Sequence, residues 1–120
     1  MNLNLTFGVF IKQVRTRYEI SSTELARKVG ISTAYLTQIE LGERIHPNPT
    51  LVLRVAKALN MNHDESELLF DLYSEATGQL PPDITEYLTG NQAALQALRQ
   101  ARDANATAED WERFIGQLKK

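Results

Sequence analysis

His46 and His63 are the side chains most open to metal binding or proton transfer in this chain of 120 residues. Their setting argues against both. The chain has no cysteine, the two histidines are far apart, and no His-x-x-x-His spacing occurs, so a metal site would need carboxylates assembled by chance. Asp64, Glu65, Glu67 and Asp71 crowd the start of a predicted helix, where the macrodipole favours negative charge. They lack the glycine and the ligand spacing of a calcium loop. No Gly-rich phosphate loop, Ser/His/Asp set or activated nucleophile is present. The expectation is a protein that is not an enzyme and holds neither metal nor cofactor.

The more informative side chains lie between Thr33 and Leu41, a stretch predicted as a helix. At 100° per residue, Thr33, Thr37, Leu41, Ala34 and Gln38 fall within an arc of about 140°, and Leu36 and Ile39 fall opposite. The outward face is therefore small and neutral, whereas a merely solvated face more often carries Lys and Glu. Such groups can read base edges in duplex DNA. Gln38 can pair bidentately with adenine, Thr33 and Thr37 can bond bases or phosphates, and Ala34 can meet a thymine methyl.

Positioning that face requires a rigid frame, and helical spacing appears along nearly the whole chain. A first helix places Phe7, Ile11, Val14 and Tyr18 on one side. Ser21 caps a second helix, with Glu24 as the partner of a capping box; Leu25, Ala26 and Val29 face inward and Gly30 ends it. Ser32 caps the third helix and Gly42 stops it. The stretch from Glu43 to Pro49 reads as a loop. A fourth helix runs from about Pro49 to Leu59 with Val52, Val55, Ala56 and Leu59 inward. A fifth runs from about Asp64 to Ala76 with Leu68, Leu69, Leu72, Tyr73 and Ala76 on one face. Two capped helices joined by Gly30-Ile31-Ser32 project the second of them outward, as major-groove entry requires.

The segment ISSTELARKVGISTAYLTQIELGER from Ile20 to Arg44, followed by PTLVLRVAKALNM, resembles the helix-turn-helix of the Xre/Cro/C1 group of phage and bacterial repressors. The likeness covers roughly residues 7–60. It implies a sequence-specific double-stranded DNA-binding transcriptional regulator, with Thr33, Ala34, Thr37 and Gln38 reading bases. Ser22 stands where the family usually has a phosphate-bonding glutamine, which weakens one contact to the backbone. The loop after the third helix approaches phosphate in this family, pointing to Arg44 and to His46 as a lesser contact. Glu43 stands where a lysine or arginine is common. Lys28 joins Ser22 and Arg44 as an expected phosphate contact. The resemblance also implies a structural ion pair between Arg15 and Glu40.

Residues 1–60 contain eight Lys/Arg and four Asp/Glu, a net of +4, and residues 61–120 contain five and eleven, a net of -6. This split suits a chain of which one half faces phosphate. Gly78-Gln79-Leu80-Pro81-Pro82 is the strongest break in helical pattern. The expected architecture is all-α: a five-helix repressor-like DNA-binding domain over residues 1–78, and a short helical extension over 79–120. In the extension, Leu95 and Leu98 mark one helix, Thr107 and Asp110 cap another, and Trp111, Phe114, Ile115 and Leu118 form an amphipathic stripe. That stripe suits either a core packed on the preceding helices or a subunit interface. Because operators are usually read by dimers across two half-sites, a homodimer is expected, with Trp111, Phe114, Ile115 and Leu118 as its dimerisation residues and the fifth helix contributing. A protein partner meeting the acidic half, in an antitoxin-like or adaptor module, is the alternative. No apolar run approaches the roughly 18–20 residues that span a bilayer, and no basic leader precedes an apolar stretch, so a cytoplasmic protein with no membrane partner is expected.

Overall fold

The computed structural model describes residues 5–43 and 47–119, and among them every regular element is a helix. In chain order these are α1 (Phe7–Arg17), α2 (Ser22–Val29), α3 (Thr33–Leu41), α4 (Pro49–Ala58), α5 (His63–Thr77), α6 (Pro82–Leu88), α7 (Gln92–Asp103) and α8 (Ala108–Leu118). The contacts divide the chain into two units, Met1–Thr85 and Glu86–Lys120. The division falls within α6. Pro82, the first residue of that helix, is buried, so the opening turn belongs to the first unit.

Each helix of the first unit contributes one side chain with no exposure at all: Val14, Leu25, Leu36, Val52 and Leu69. Burying a side chain of this size contributes roughly 1.5–3 kcal/mol, and here five helices share one such centre. α1 packs against both α3 and α5, and α2 packs against α3 and α4. The capping follows the side chains. Thr6, Ser21, Ser32, Asn48 and Asn62 each accept a backbone N–H of the first turn of their helix, and Pro49 occupies a first-turn position of α4 that needs no donor.

The structure departs from the expected faces in several places. Tyr18 is 40% exposed instead of completing the α1 stripe, because the helix ends at Arg17 and Tyr18 is its cap. Phe10 is buried in its place, since α1 is covered on two sides. On α5, Leu68 and Ala76 are exposed and Phe70 is buried; the helix meets α1 and α4, which turns its inner face toward Phe70. The capping box expected at Ser21 and Glu24 is only half present. Ser21 accepts from the Glu24 amide at 3.0 Å, but the Glu24 carboxylate lies 4.0 Å from the Lys28 ammonium. Reciprocal boxes form instead at Asn62/Glu65 and, as the spacing suggests, at Thr107/Asp110.

Glu65 ties two helices together. Its carboxylate accepts from the Asn62 amide at 3.0 Å and from the Tyr18 hydroxyl, which lies 2.8 and 2.9 Å from its two oxygens. Arg17 adds a contact at 3.1 Å. The start of α5 is thereby fastened to the end of α1. The Asn62 amide, then the Tyr18 hydroxyl, hold the Glu65 carboxyl below its ordinary value.

In the second unit, α7 and α8 bury no residue. Trp111, Phe114, Ile115 and Leu118 are 40%, 47%, 49% and 69% exposed, so the reading of this stripe as a packed core does not hold. Trp111 and Phe114 meet edge to face, their ring centroids 6.1 Å apart.

Two expectations follow. A Cβ built on Gly8 would stand 2.2 Å from the Ile39 carbonyl oxygen and 3.1 Å from that of Glu40, both backbone atoms of α3. Gly8→Ala should therefore cost about 1–3 kcal/mol or more in urea unfolding, although alanine is the better helix former; an unchanged midpoint would contradict this packing. Glu65 contributes stability that is fully present above its ordinary value of 4.5 and is lost as pH falls through its lowered folded value. Glu65→Gln should reduce Tm at pH 7, and its difference from the native chain should shrink as the pH is taken below that value.

Candidate nucleic-acid interface

α2 and α3 are joined by a turn in which Gly30 adopts φ 80°, a left-handed conformation open to glycine. The Ile31 amide returns to the Ala26 carbonyl at 3.0 Å, and Ser32 then caps α3 by accepting from the Tyr35 amide at 3.0 Å. From α4, the Arg54 guanidinium donates to the Val29 carbonyl at 3.1 Å. A cation thus closes the negative end of α2. The angle between the two helices is held from three directions.

α3 is buried on one side and open on the other. Leu36 is wholly buried and Ile39 nearly so, whereas Ala34, Thr37, Gln38 and Leu41 are exposed and Thr33 is half-buried. The Thr37 hydroxyl donates to the Thr33 carbonyl at 3.0 Å. Its proton is therefore engaged within the helix, which leaves Thr37 an acceptor and a methyl toward any ligand. Among the described residues nothing holds the Gln38 side-chain amide, which can offer both a donor and an acceptor. Gly42, at φ 77°, ends the helix, and the Glu43 amide returns to the Gln38 carbonyl at 3.2 Å.

Behind this face sits the one buried charged residue of the described core, Glu40. Arg15 donates to it through Nε at 2.8 Å and Nη2 at 3.0 Å, and through Nη1 to the Ile20 carbonyl at 3.1 Å. The side chains are 13% and 7% exposed. One guanidinium fork joins the end of α1, the start of the segment leading to α2, and the last turn of α3.

The remaining expected contacts are dispersed. Ser22 is half-buried in the first turn of α2, and Lys28 is exposed near its far end beside Glu24. Arg44 and His46 lie outside the described residues. His63 is exposed, with Nε2 3.2 Å from Glu67. The buried Tyr73 hydroxyl donates to the Pro47 carbonyl at 2.6 Å. Tyr73 also packs edge to face on Phe7, with centroids 5.5 Å apart. Beside α3, a shallow groove of about 800 Å³ runs along α1, bordered by Lys12, Arg17, Thr37 and Leu41.

Gly8, Arg54 and Tyr73 are positioning residues that sequence reasoning missed. Tyr73 is legible as a core residue, but nothing in its spacing shows where its hydroxyl goes. Arg54 reads as an ordinary exposed cation on α4.

The charge also distributes differently once folded. The unit Met1–Thr85 contains eight Lys/Arg and ten Asp/Glu, a net of -2, and Glu86–Lys120 contains five of each. The acidity of the second half of the sequence thus resides largely on α5, inside the first unit, and the second unit is neutral.

A capped helix, a left-handed glycine turn and a second helix with one buried and one free face define a DNA-binding helix-turn-helix domain, the class to which transcription regulators of this architecture belong. Residues 11–66 match the family model described as Helix-turn-helix, of the Xre/Cro/C1 type. That family is one of DNA-binding transcription regulators. No curated protein and no solved structure matches the chain. No helix among the described residues is long and apolar enough to cross a membrane.

Removing Arg15 should strand the Glu40 carboxylate in the core. Arg15→Met is expected to lose about 3–5 kcal/mol, as is usual when one partner of a buried pair is deleted. The double variant Arg15→Met/Glu40→Leu should recover much of that loss. A double-mutant cycle in chemical denaturation checks this, and additive single losses would contradict the coupling.

Proposed function

We propose that the protein is a sequence-specific repressor that binds an inverted-repeat operator as a dimer, acting in the cytoplasm. The observation that carries the reading is the free face of α3. Ala34, Thr37 and Gln38 are exposed, and Thr33 half so, on a helix whose opposite side is locked into the core. A rigid helix bearing small neutral and amide groups suits base edges in a major groove better than it suits bulk solvent. Gln38 pairs with a base, Ala34 meets a thymine methyl, and Thr33 and Thr37 serve as acceptors or apolar contacts. Ser22, Lys28 and Arg44 bind phosphates and set the register. In this reading, residues 79–120 act in dimerisation, and two copies place their α3 helices about 34 Å apart on successive turns of one duplex face.

An adaptor that retains the fold and meets a protein partner is favoured by one observation, the acidic α5 surface with Asp64, Glu67, Asp71 and Glu75 exposed. Selection of bound duplexes from a random pool decides between the two. A symmetric site with fixed half-site spacing supports the repressor, and failure to enrich any duplex at low salt supports the adaptor.

Against the selected site, Gln38→Ala should cost about 1–3 kcal/mol and relax preference at one position of each half-site. Arg44→Ala should weaken all sequences alike and reduce the salt slope by about one. Fluorescence anisotropy at several salt concentrations measures both. Unchanged affinity and base preference for Gln38→Ala would show that α3 enters DNA in another orientation.

A further inference from the structure

Helices as short as α7 and α8 are marginal in water unless an apolar face is covered, and neither buries a residue within the chain. Between them lies an apolar groove of about 550 Å³, bordered by Leu98, Trp111, Phe114 and Leu118. Ile115 stands beside it, half exposed. We propose that α8 of a second copy covers this surface, running antiparallel to the first, so that Glu112 of each chain meets Lys119 of the other. The proposal rests on the dimer reading above and names its interface.

Charge selects the occupant. The unit Glu86–Lys120 carries five positive and five negative residues, so it meets a copy of itself without net repulsion. The order of charges along α8 selects the direction. Taking Trp111 as the origin, Glu112 lies at about 100° and Lys119 at about 80°, so both border the stripe on one flank. The other flank carries Asp110 and Gln117. Asp110 is engaged there with Thr107 and Arg113 and faces the groove toward α7. Glu112 and Lys119 form no ion pair within the chain among the described residues.

A two-fold axis passing between Ile115 and Gly116, one residue from the centre of the stripe, brings like flanks together with their sequence reversed. Glu112 then lies near Lys119 of the partner subunit, and symmetry repeats the pair. Ala108 on the same flank allows close approach. Parallel pairing would set unlike flanks side by side and bring Glu112 within two residues of Asp110 of the partner subunit, a like-charge contact. Antiparallel pairing therefore satisfies both the apolar stripe and its charged border.

The test is charge reversal in the full chain, with the dimer dissociation constant measured by sedimentation. Glu112→Lys and Lys119→Glu should each weaken dimerisation by about tenfold or more, since each creates two like-charge contacts. The double variant E112K/K119E should return to within about threefold of the native chain. Mixing the two single variants should give a heterodimer, because each then supplies what the other lacks. Trp111 is the only tryptophan, so its emission should shift to longer wavelength as the native dimer is diluted. Circular dichroism identifies a variant that has merely lost helix, and such a variant would not recover by mixing. A monomer at every concentration overturns the proposal. So does a dimer indifferent to both reversals, or a double variant that does not recover. Binding to a single half-site duplex is measured separately. Loss of DNA binding with charge rescue intact would refute the repressor reading and leave this interface standing.

Discussion

α1 lies against α3 so closely that backbone meets backbone. At Gly8 there is no room for a Cβ beneath the Ile39 and Glu40 carbonyls, and one helical span further on Arg15 grips Glu40 through two nitrogens. A helix of nine residues such as α3 is too short to hold itself in water. Its direction relative to the rest of the domain is set by this two-point fastening on one side and by the Gly30 turn on the other. Leu36 and Ile39 then fill the space between the fastenings. A free reading face exists only because the opposite face is held this rigidly.

α5 fastens the periphery in a related way. Its first turn is bound to the end of α1 through Glu65, Tyr18 and Arg17, and its later part holds the Pro47 carbonyl through Tyr73. The chain is thus held at Gly42, where α3 ends, and again at Pro47. A polar hydroxyl buried in the core is satisfied by a loop carbonyl, so one hydrogen bond removes an unpaired group from each. The acidic side chains of α5 face solvent in the same unit as the cations of α1 and α2. Overall charge is thus a poor guide to the surface that meets DNA, and the local absence of charge on α3 is a better one.

Much of the first unit was legible in the sequence because capping and termination are local chemistry. Ser21, Ser32, Gly30 and Gly42 act within a few residues of themselves, and the spacing of Leu36, Ile39, Val52 and Val55 reflects helical geometry alone. Helical spacing alone places Tyr18 and Leu68 inward, because an apolar stripe assumes a partner along its whole length. Tyr18 lies where α1 has already ended, and Leu68 lies off the sector that α1 and α4 cover. At Glu24 only the Ser21 half of the box forms, and the carboxylate lies toward Lys28.

The sequence by itself determined the helices, their ends, and which side of α3 is free, since each depends on residue type and a period of 3.6. Only the tertiary structure decided what lies far apart in the chain and close in space: Gly8 under Ile39, Arg54 on Val29, and Tyr73 on Pro47. It also decided that the Trp111 stripe remains open. Spacing specifies a face, but whether that face is covered depends on the shape and position of the surfaces around it.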